Sequence, residues 1–215
     1  MLTILGKRNS LLSQFIAEIR DAEMQKDKLR FRNNMTRIGE IFAYEISKKL
    51  AWKDIDTVTP LGIAKSSVLK SQPLLATILR AGLPFHQGLL NYFDKADNAF
   101  VSAYRKHQKD GKFDISIEYI SSPTVEKKVL ILCDPMLATG SSMYLCYKAL
   151  LQKGVPEQTH FVSIVASTQG IHYLQKQLPE NINIWIGEVD EELTAQSYIV
   201  PGLGDAGDLA FGGKE

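Results

Sequence analysis

The sequence predicts an α/β fold, a central and mainly parallel sheet with helices on both faces. Three observations carry that prediction. The runs 74–79, 129–133 and 161–166 are almost continuously apolar, the pattern of strands buried on both faces. Each is followed by a stretch with helical spacing, and strands alternating with helices imply a doubly wound parallel sheet. The 215 residues contain no internal repeat, low-complexity tract or long linker, so the chain reads as one domain over 1–215.

The elements follow in order. The first residues turn polar by Asn9, too soon for a signal peptide or a membrane span, so a cytoplasmic protein is expected. Residues 1–36 read as an N-terminal helical arm. The cations Lys26, Lys28, Arg30 and Arg32 there fit a solvated helix face, an oligomer contact or a phosphate-binding arm. From 33 to 50, Met35, Ile38, Ile41, Phe42, Ile46 and Leu50 recur along one stripe, with Arg37, Glu40, Glu45, Lys48 and Lys49 opposite; this spacing predicts an amphipathic helix. A strand is predicted over 57–61, ending at Pro60-Leu61-Gly62, and another over 74–79. The turn Arg80-Ala81-Gly82 then leads into a helix over 84–93, with Pro84 in its first turn.

Between 100 and 120 the pattern becomes alternating, and Lys109-Asp110-Gly111-Lys112 sits between the two halves, which predicts a β-hairpin arm. The strand 129–133 enters a loop of small residues and leaves as a helix over 142–153 closed by Gly154. A strand over 161–166, a helix over 170–177 and a strand over 182–187 complete the sheet, and a glycine-rich tail, 188–215, forms a hood at its carboxyl edge.

Charge and rare residues exclude several classes. The net charge is +1 and the pI near 7.7, so the broad basic field of a nucleic-acid binder is missing. Cys133 and Cys146 are too few for a disulfide framework and form no Cys-x-x-Cys pair, and the four histidines show no metal-ligand spacing. Cys133 reads as a buried strand residue and Cys146 as a helix residue.

The loop after Cys133 carries the chemistry. Thr139, Gly140, Ser141 and Ser142 open a helix whose first N–H groups lack intrahelical partners, and such an end receives anions. Hydroxyls and bare backbone together suit a phosphate, and Asp134 at the strand's carboxyl end can accept from a vicinal diol, as on ribose. A simple capped helix after a buried strand is the alternative for the loop alone. The Gly-Lys-Ser/Thr ending of a P-loop is missing.

An apolar strand, Asp134 and then Thr139-Gly140 at a helix start resembles the phosphoribosyl pyrophosphate motif of the type I phosphoribosyltransferases. The wording Asp134-Pro135-Met136-Leu137-Ala138-Thr139-Gly140 looks like that of the uracil phosphoribosyltransferase family. The stretches Thr59-Pro60-Leu61-Gly62, Ile78-Leu79-Arg80-Ala81-Gly82-Leu83 and 198–208 agree, so the likeness runs from about Arg37 to the C-terminus. It implies conversion of uracil and 5-phospho-α-D-ribose 1-diphosphate (PRPP) to UMP and diphosphate in pyrimidine salvage. It implies that PRPP is held by Arg80, Arg105, Asp134, Pro135, Met136, Leu137, Ala138, Thr139, Gly140, Ser141, Ser142 and Asp205. Uracil contacts fall to Ile199, Gly204, Asp205 and Ala206, with Asp205 as the catalytic residue. Magnesium would arrive on the diphosphate, with no metal ligands of the chain's own assigned. The likeness also brings a GTP effector and a homo-oligomer, dimer or tetramer, as expectations; many members of this fold have a non-proline cis peptide in the diphosphate turn, which the sequence alone does not show after Arg80. The charge balance and the N-terminus point to no nucleic-acid or membrane partner. Without it, Arg80 reads as a strand cap and Arg105 as a surface residue.

Two positions depart from the family pattern. Ser141 stands where a second glycine is expected, which would strain it if a positive φ were required there, and Leu209 stands where a basic residue often follows Gly-Asp-Ala-Gly-Asp. The competing readings are an RNA-binding or nucleotide-sensing regulator on the same fold with little activity, and an enzyme on this fold for another base.

Overall fold

An apolar strand in the middle of a sheet needs cover on both faces, and the chain supplies it by sending successive helices to opposite sides. The computed structural model describes residues 1–107, 113–179 and 181–213, with the side chains of 103–107 and 113–116 outside that description. From the N-terminus run β1 (Leu2–Ile4), α1 (Leu11–Arg20), α2 (Lys28–Ser47), β2 (Trp52–Thr59), β3 (Gly62–Leu69), β4 (Leu74–Leu79) and α3 (Leu83–Tyr92). Next come β5 (Asp97–His107), β6 (Phe113–Ser121), β7 (Val129–Cys133), β8 (Met136–Leu137), α4 (Ser141–Leu150), β9 (Gln158–Ser167) and α5 (Thr168–Gln177). The chain finishes with β10 (Asn183–Asp190), β11 (Glu192–Leu193), β12 (Ile199–Val200) and α6 (Ala206–Phe211).

Among the described residues the main sheet holds eight strands in the order β1-β10-β9-β7-β4-β5-β6, with β8 also paired to β9. Every pairing is parallel except that of β5 with β6. One face packs on α1, α2 and α3 through Ile16, Ile38, Phe42, Phe85 and Leu89. The other packs on α4 and α5 through Met143, Cys146, Ile171 and Leu174. Alternation along β7 serves both layers: Leu130 and Leu132 join the second cluster, Ile131 and Cys133 the first.

Four expectations change. The helix predicted over 33–50 starts at Lys28, because Asp27 accepts from the Leu29 and Arg30 amides and caps it there. Lys28, Arg30 and Arg32 therefore lie on α2. Arg30 pairs with Glu18 at 2.8 Å, and Arg32 donates to the Ala210 carbonyl at 2.7 Å. The strand predicted over 57–61 is the end of β2 in a separate antiparallel hairpin with β3, closed by Pro60-Leu61. Its residues are mostly exposed, so it lacks the apolar face that joins a core. The arm predicted at 100–120 begins as part of the main sheet: β5 runs parallel to β4 from Asp97 and turns into β6 beyond a bulge at Ser102/Ala103. The turn assigned to Lys109-Asp110-Gly111-Lys112 lies outside the described residues. Finally, the N-terminal segment contributes an edge strand, β1, paired with β10, as well as helices.

Among the described residues no helix is long and apolar enough to cross a membrane.

His160 on β9 is fully buried and accepts from Trp185 Nε1 at Nδ1, 2.9 Å away, while burial lowers its pKa from 6.5 to about 4. The unfolded chain takes up this proton near pH 6.5 and the folded chain only near 4. Stability is therefore intact above 6.5 and is lost as pH falls through that window, by at most about 3 kcal/mol for this group. We predict that urea unfolding free energies of wild type and His160→Gln draw together as pH falls from 6.5 to 4. A constant difference between the two across that range would refute the assignment.

Candidate functional site

The site begins where the chain changes direction across the sheet. β4 and β7 are neighbours, with Thr77 opposite Cys133, yet α3 leaves β4 toward one face and α4 leaves β7 toward the other. The loops after two such strands diverge and leave a crevice at their carboxyl ends.

Beyond β4, the Leu79–Arg80 peptide is cis, and a tight turn follows: Gly82 donates to the Ile78 carbonyl at 3.0 Å and Leu83 to the Arg80 carbonyl at 3.2 Å. Only glycine fits at 82, since a Cβ there would lie 2.1 Å from Thr77 Oγ1. Arg80 Nη2 donates to Asp208 Oδ1 at 3.0 Å and to the Gly212 carbonyl at 2.8 Å. Arg80 thus does not merely cap its strand; it reaches the tail.

Beyond β7, the loop stays bonded to β9 before it turns. Asp134 donates its amide to the Val162 carbonyl, and the Pro135 carbonyl accepts from the Ile164 and Val165 amides at 3.1 and 3.0 Å. Met136 and Leu137 form β8 against Val165 and Ala166, and Ser167 Oγ donates to the Ala138 carbonyl at 2.6 Å. The loop is therefore backed by sheet and by α5 rather than hanging free. Gly140 then takes φ +81 as the N-cap of α4. Thr139 Oγ1 accepts from the Ser141 amide at 3.4 Å and lies 3.3 Å from Ser141 Oγ, and the first helical bond runs from the Tyr144 amide to the Gly140 carbonyl. First-turn amides, including those of Ser142 and Met143, have no acceptor within the helix. Because Gly140 carries the positive φ, Ser141 sits in ordinary helical backbone and the departure there is unstrained.

The tail closes the third side. β12 pairs with β11 (Leu193 opposite Ile199), and the chain then turns through Gly202 and Gly204, both at positive φ. Asp205 caps α6, accepting from the Asp208 amide at 3.0 Å. Ile199 and Ala206 are buried, whereas Gly204 and Asp205 are exposed. Leu209, the second departure, packs against the same cluster as Ile199, Leu203, Ala206 and Ala210, so an apolar side chain has a place there. Ala81 after β4 and Met136 and Ala138 after β7 border that cluster too, and a Cβ on Gly207 would lie 3.9 Å from the Ala81 Cβ. The Arg80 turn therefore meets the tail, and the 134–142 loop leaves the neighbouring strand at the same rim.

Arg105 lies on β5 opposite Ile115, and its side chain is outside the described residues. Sequence reasoning missed Asp208 as the partner of Arg80, and missed Arg20, Arg32 and Asp190, which hold the tail from elsewhere. Asp208 closes the Gly-Asp-Ala-Gly-Asp string, but nothing local names its partner; Arg20, Arg32 and Asp190 lie in no motif, and only contacts across the fold mark them. Burial pushes the Cys133 and Cys146 thiols up to about 12, so neither supplies a thiolate nucleophile near neutral pH. Among the described residues no three His, Cys, Asp or Glu side chains converge as a metal ligand set.

The model of the uracil phosphoribosyltransferase family matches residues 7–213. A uracil phosphoribosyltransferase of Porphyromonas gingivalis is 58% identical over 210 residues, covering 98% of this chain and 97% of its own. One from Methanothermobacter thermautotrophicus is 39% identical over 188 residues, 86% of this chain and 85% of its own. Among solved structures, a protein from Aquifex aeolicus matches with a TM-score of 0.87 at 26% identity over 99% of this chain and 98% of its own. A hypoxanthine phosphoribosyltransferase of Staphylococcus aureus shares the fold, with a TM-score of 0.50 at 14% identity over 75% of this chain and 76% of its own.

The backbone at 140 yields a direct test. A Cβ at Gly140 would meet the left-handed penalty and lie 2.9 Å from the Gly170 carbonyl oxygen. We predict that Gly140→Ala lowers the unfolding free energy by about 2–3 kcal/mol, whereas Ser141→Gly costs about 1 kcal/mol or less. Equal losses in urea titrations of the two variants would contradict this placement of the positive φ.

Proposed function

The chain belongs to the uracil phosphoribosyltransferase family, and we propose that its three convergent segments perform one displacement: N1 of uracil replaces diphosphate at C1 of PRPP, giving UMP. The observation that carries this reading is the bonding of the Arg80 turn to the tail at the rim where β4 and β7, the strand that feeds the 134–142 loop, end side by side.

In this reading the 5-phosphate sits on the first-turn amides of α4 and the hydroxyls of Thr139, Ser141 and Ser142, where the helix dipole favours negative charge. Pro135, Met136, Leu137, Ala138 and Gly140 shape the loop, and Asp134 accepts from the ribose hydroxyls. Arg80 takes the diphosphate, with Arg105 as a second cation. Its present pairing with Asp208 is no obstacle: the two side chains are 37% and 44% exposed, and such pairs contribute only about 0–1 kcal/mol. A diphosphate with several charges competes well against one carboxylate.

Uracil presents two carbonyl acceptors flanking an N–H donor. Backbone N–H and C=O groups at Ile199, Gly204 and Ala206 match that edge without side-chain obstruction, and Asp205 polarises the base or assists loss of its N1 proton. Charge at C1 develops with oxocarbenium character, so positioning and electrostatics supply most of the acceleration. The β5–β6 arm and the tail exclude water, which would otherwise hydrolyse the activated sugar.

Among the described residues no carboxylate cluster converges as a metal ligand set, so magnesium would come on the oxygens of the diphosphate itself, where it would neutralise the leaving group. Homo-oligomer formation belongs to the same reading, supported by the exposed apolar residues Val58, Leu61 and Ile63 on the β2–β3 hairpin. A cytoplasmic location and a GTP effector rest on the family resemblance.

The test is diphosphate release from PRPP and magnesium with uracil, cytosine, adenine, guanine or hypoxanthine supplied singly. Release with uracil alone is the expected outcome. Release with a purine would overturn the tail as a uracil reader, and silence with all bases would overturn the enzyme reading. Asp205→Ala is expected to lower kcat by about a hundredfold or more with the fold retained by circular dichroism; near-normal turnover removes Asp205 from its role.

A further inference from the structure

The turn that opens the tail is held by a buried ion pair from elements outside every motif. Arg20, the last residue of α1, places a fork on Asp190, the last residue of β10: Nη1 donates to Oδ2 at 2.8 Å and Nη2 to Oδ1 at 3.0 Å. Their side chains are 16% and 8% exposed. The same two groups take both polar atoms of the Gly202 backbone. Asp190 Oδ2 accepts from the Gly202 amide at 2.9 Å, and Arg20 Nη1 donates to the Gly202 carbonyl at 3.1 Å. Glu188 lies 3.1 Å from Arg20 Nη2 and adds a second carboxylate to the cluster.

Gly202 is a tight point in the chain. Its φ is +57, and a Cβ there would lie 2.1 Å from the Ile199 carbonyl oxygen, so the backbone folds directly back over Ile199 before entering Gly204, Asp205 and Ala206. An ion pair is a poor device for stability alone, because desolvating two charges offsets most of their attraction and an apolar pair of similar volume often serves as well. What the fork supplies is direction. It fixes the orientation of the peptide groups on both sides of Gly202, and those peptides lead straight into the backbone groups that face the base.

We propose that Arg20, acting with Asp190, is a positioning residue for uracil: it touches no substrate but sets the angle at which the tail backbone presents its N–H and C=O groups. This rests on the reading of Ile199, Gly204, Asp205 and Ala206 as the base contacts. A misaligned edge weakens uracil more than PRPP, because the backbones of the Arg80 turn and the 134–142 loop are fixed by other bonds and Arg80 meets the tail only beyond Asp205, at Asp208 and Gly212.

The experiment compares wild type, Arg20→Gln, Arg20→Lys and Gly204→Ala, varying uracil and PRPP separately, with a melting curve for each protein. Loss of a charged hydrogen bond to the tail predicts an uracil KM raised about tenfold or more in Arg20→Gln, with the PRPP KM changed by less than about twofold. Arg20→Lys, which keeps the charge and loses the fork, should fall between. An unchanged uracil KM in the folded Arg20 variant, or equal rises in both KM values, overturns the proposal; if Arg20→Gln does not fold, Arg20→Lys decides by the same criteria. Gly204→Ala strains the tail itself at φ +93. If it raises the uracil KM while the Arg20 variants do not, the tail reading survives and the positioning role falls. If neither moves it, the tail reading has failed.

Discussion

Adjacent parallel strands whose helices leave on opposite faces are the constraint from which the site follows. β4 and β7 lie side by side with Thr77 opposite Cys133, and α3 and α4 depart to different layers. A strand buried on both faces can end only at the sheet's edge, so both loops emerge at the same rim and must diverge there. The crevice exists before any side chain is chosen for it. Arg80 occupies the turn on one wall, and Thr139, Gly140 and Ser141 occupy the helix start on the other. Their chemistry is local, but their proximity is a property of strand order.

The tail is different in kind, because almost nothing local fixes it. Its own regular structure is the two-residue pairing of β11 with β12 and the six-residue α6. Orientation comes from arginines contributed by distant parts of the chain. Arg20 on α1 reaches the Gly202 carbonyl, Arg32 on α2 the Ala210 carbonyl, and Arg80 after β4 the Gly212 carbonyl. Guanidinium groups suit this work, since one fork can serve a carboxylate and a carbonyl at once and remains charged at any physiological pH. A short glycine-rich segment has much conformational freedom to lose, so its order depends on such bonds.

These two kinds of cause explain what the sequence made legible. The runs at 74–79, 129–133 and 161–166 appear as β4, β7 and the middle of β9, because a continuous apolar stretch of strand length has few other uses in a domain of this size. The 134–142 loop was legible for the same local reason, although its path along β9 through β8 was not, since Met136-Leu137 is too short to show a period. β1 is equally short and owes its place to pairing with β10. α1 carries Leu12, Ile16 and Ile19 at helical spacing but is only ten residues long, and its role depends on Arg20 meeting Asp190 across the fold. The β2–β3 hairpin was half seen because its polar strands give no burial signal. The cations at 28, 30 and 32 had several possible uses; pairing with Glu18 and Ala210 decides two of them, and no pattern in sequence encodes that choice.

Burial sorts the bonds that hold the tail by how easily they yield. Arg20 and Asp190 are nearly enclosed, and removing Arg20 leaves a buried carboxylate without its cation, so the Gly202 turn yields only at high cost. Arg80 and Asp208 are both more than a third exposed, so water can replace either partner at little cost. The tail is thus firmly held where it enters the site and lightly tied where it leaves. The light tie falls on the arginine assigned to the diphosphate and the firm one on the backbone assigned to the base. A site that must bind and release a highly charged group while keeping a fixed hydrogen-bonding edge needs that division, and the difference in exposure between two ion pairs is enough to provide it.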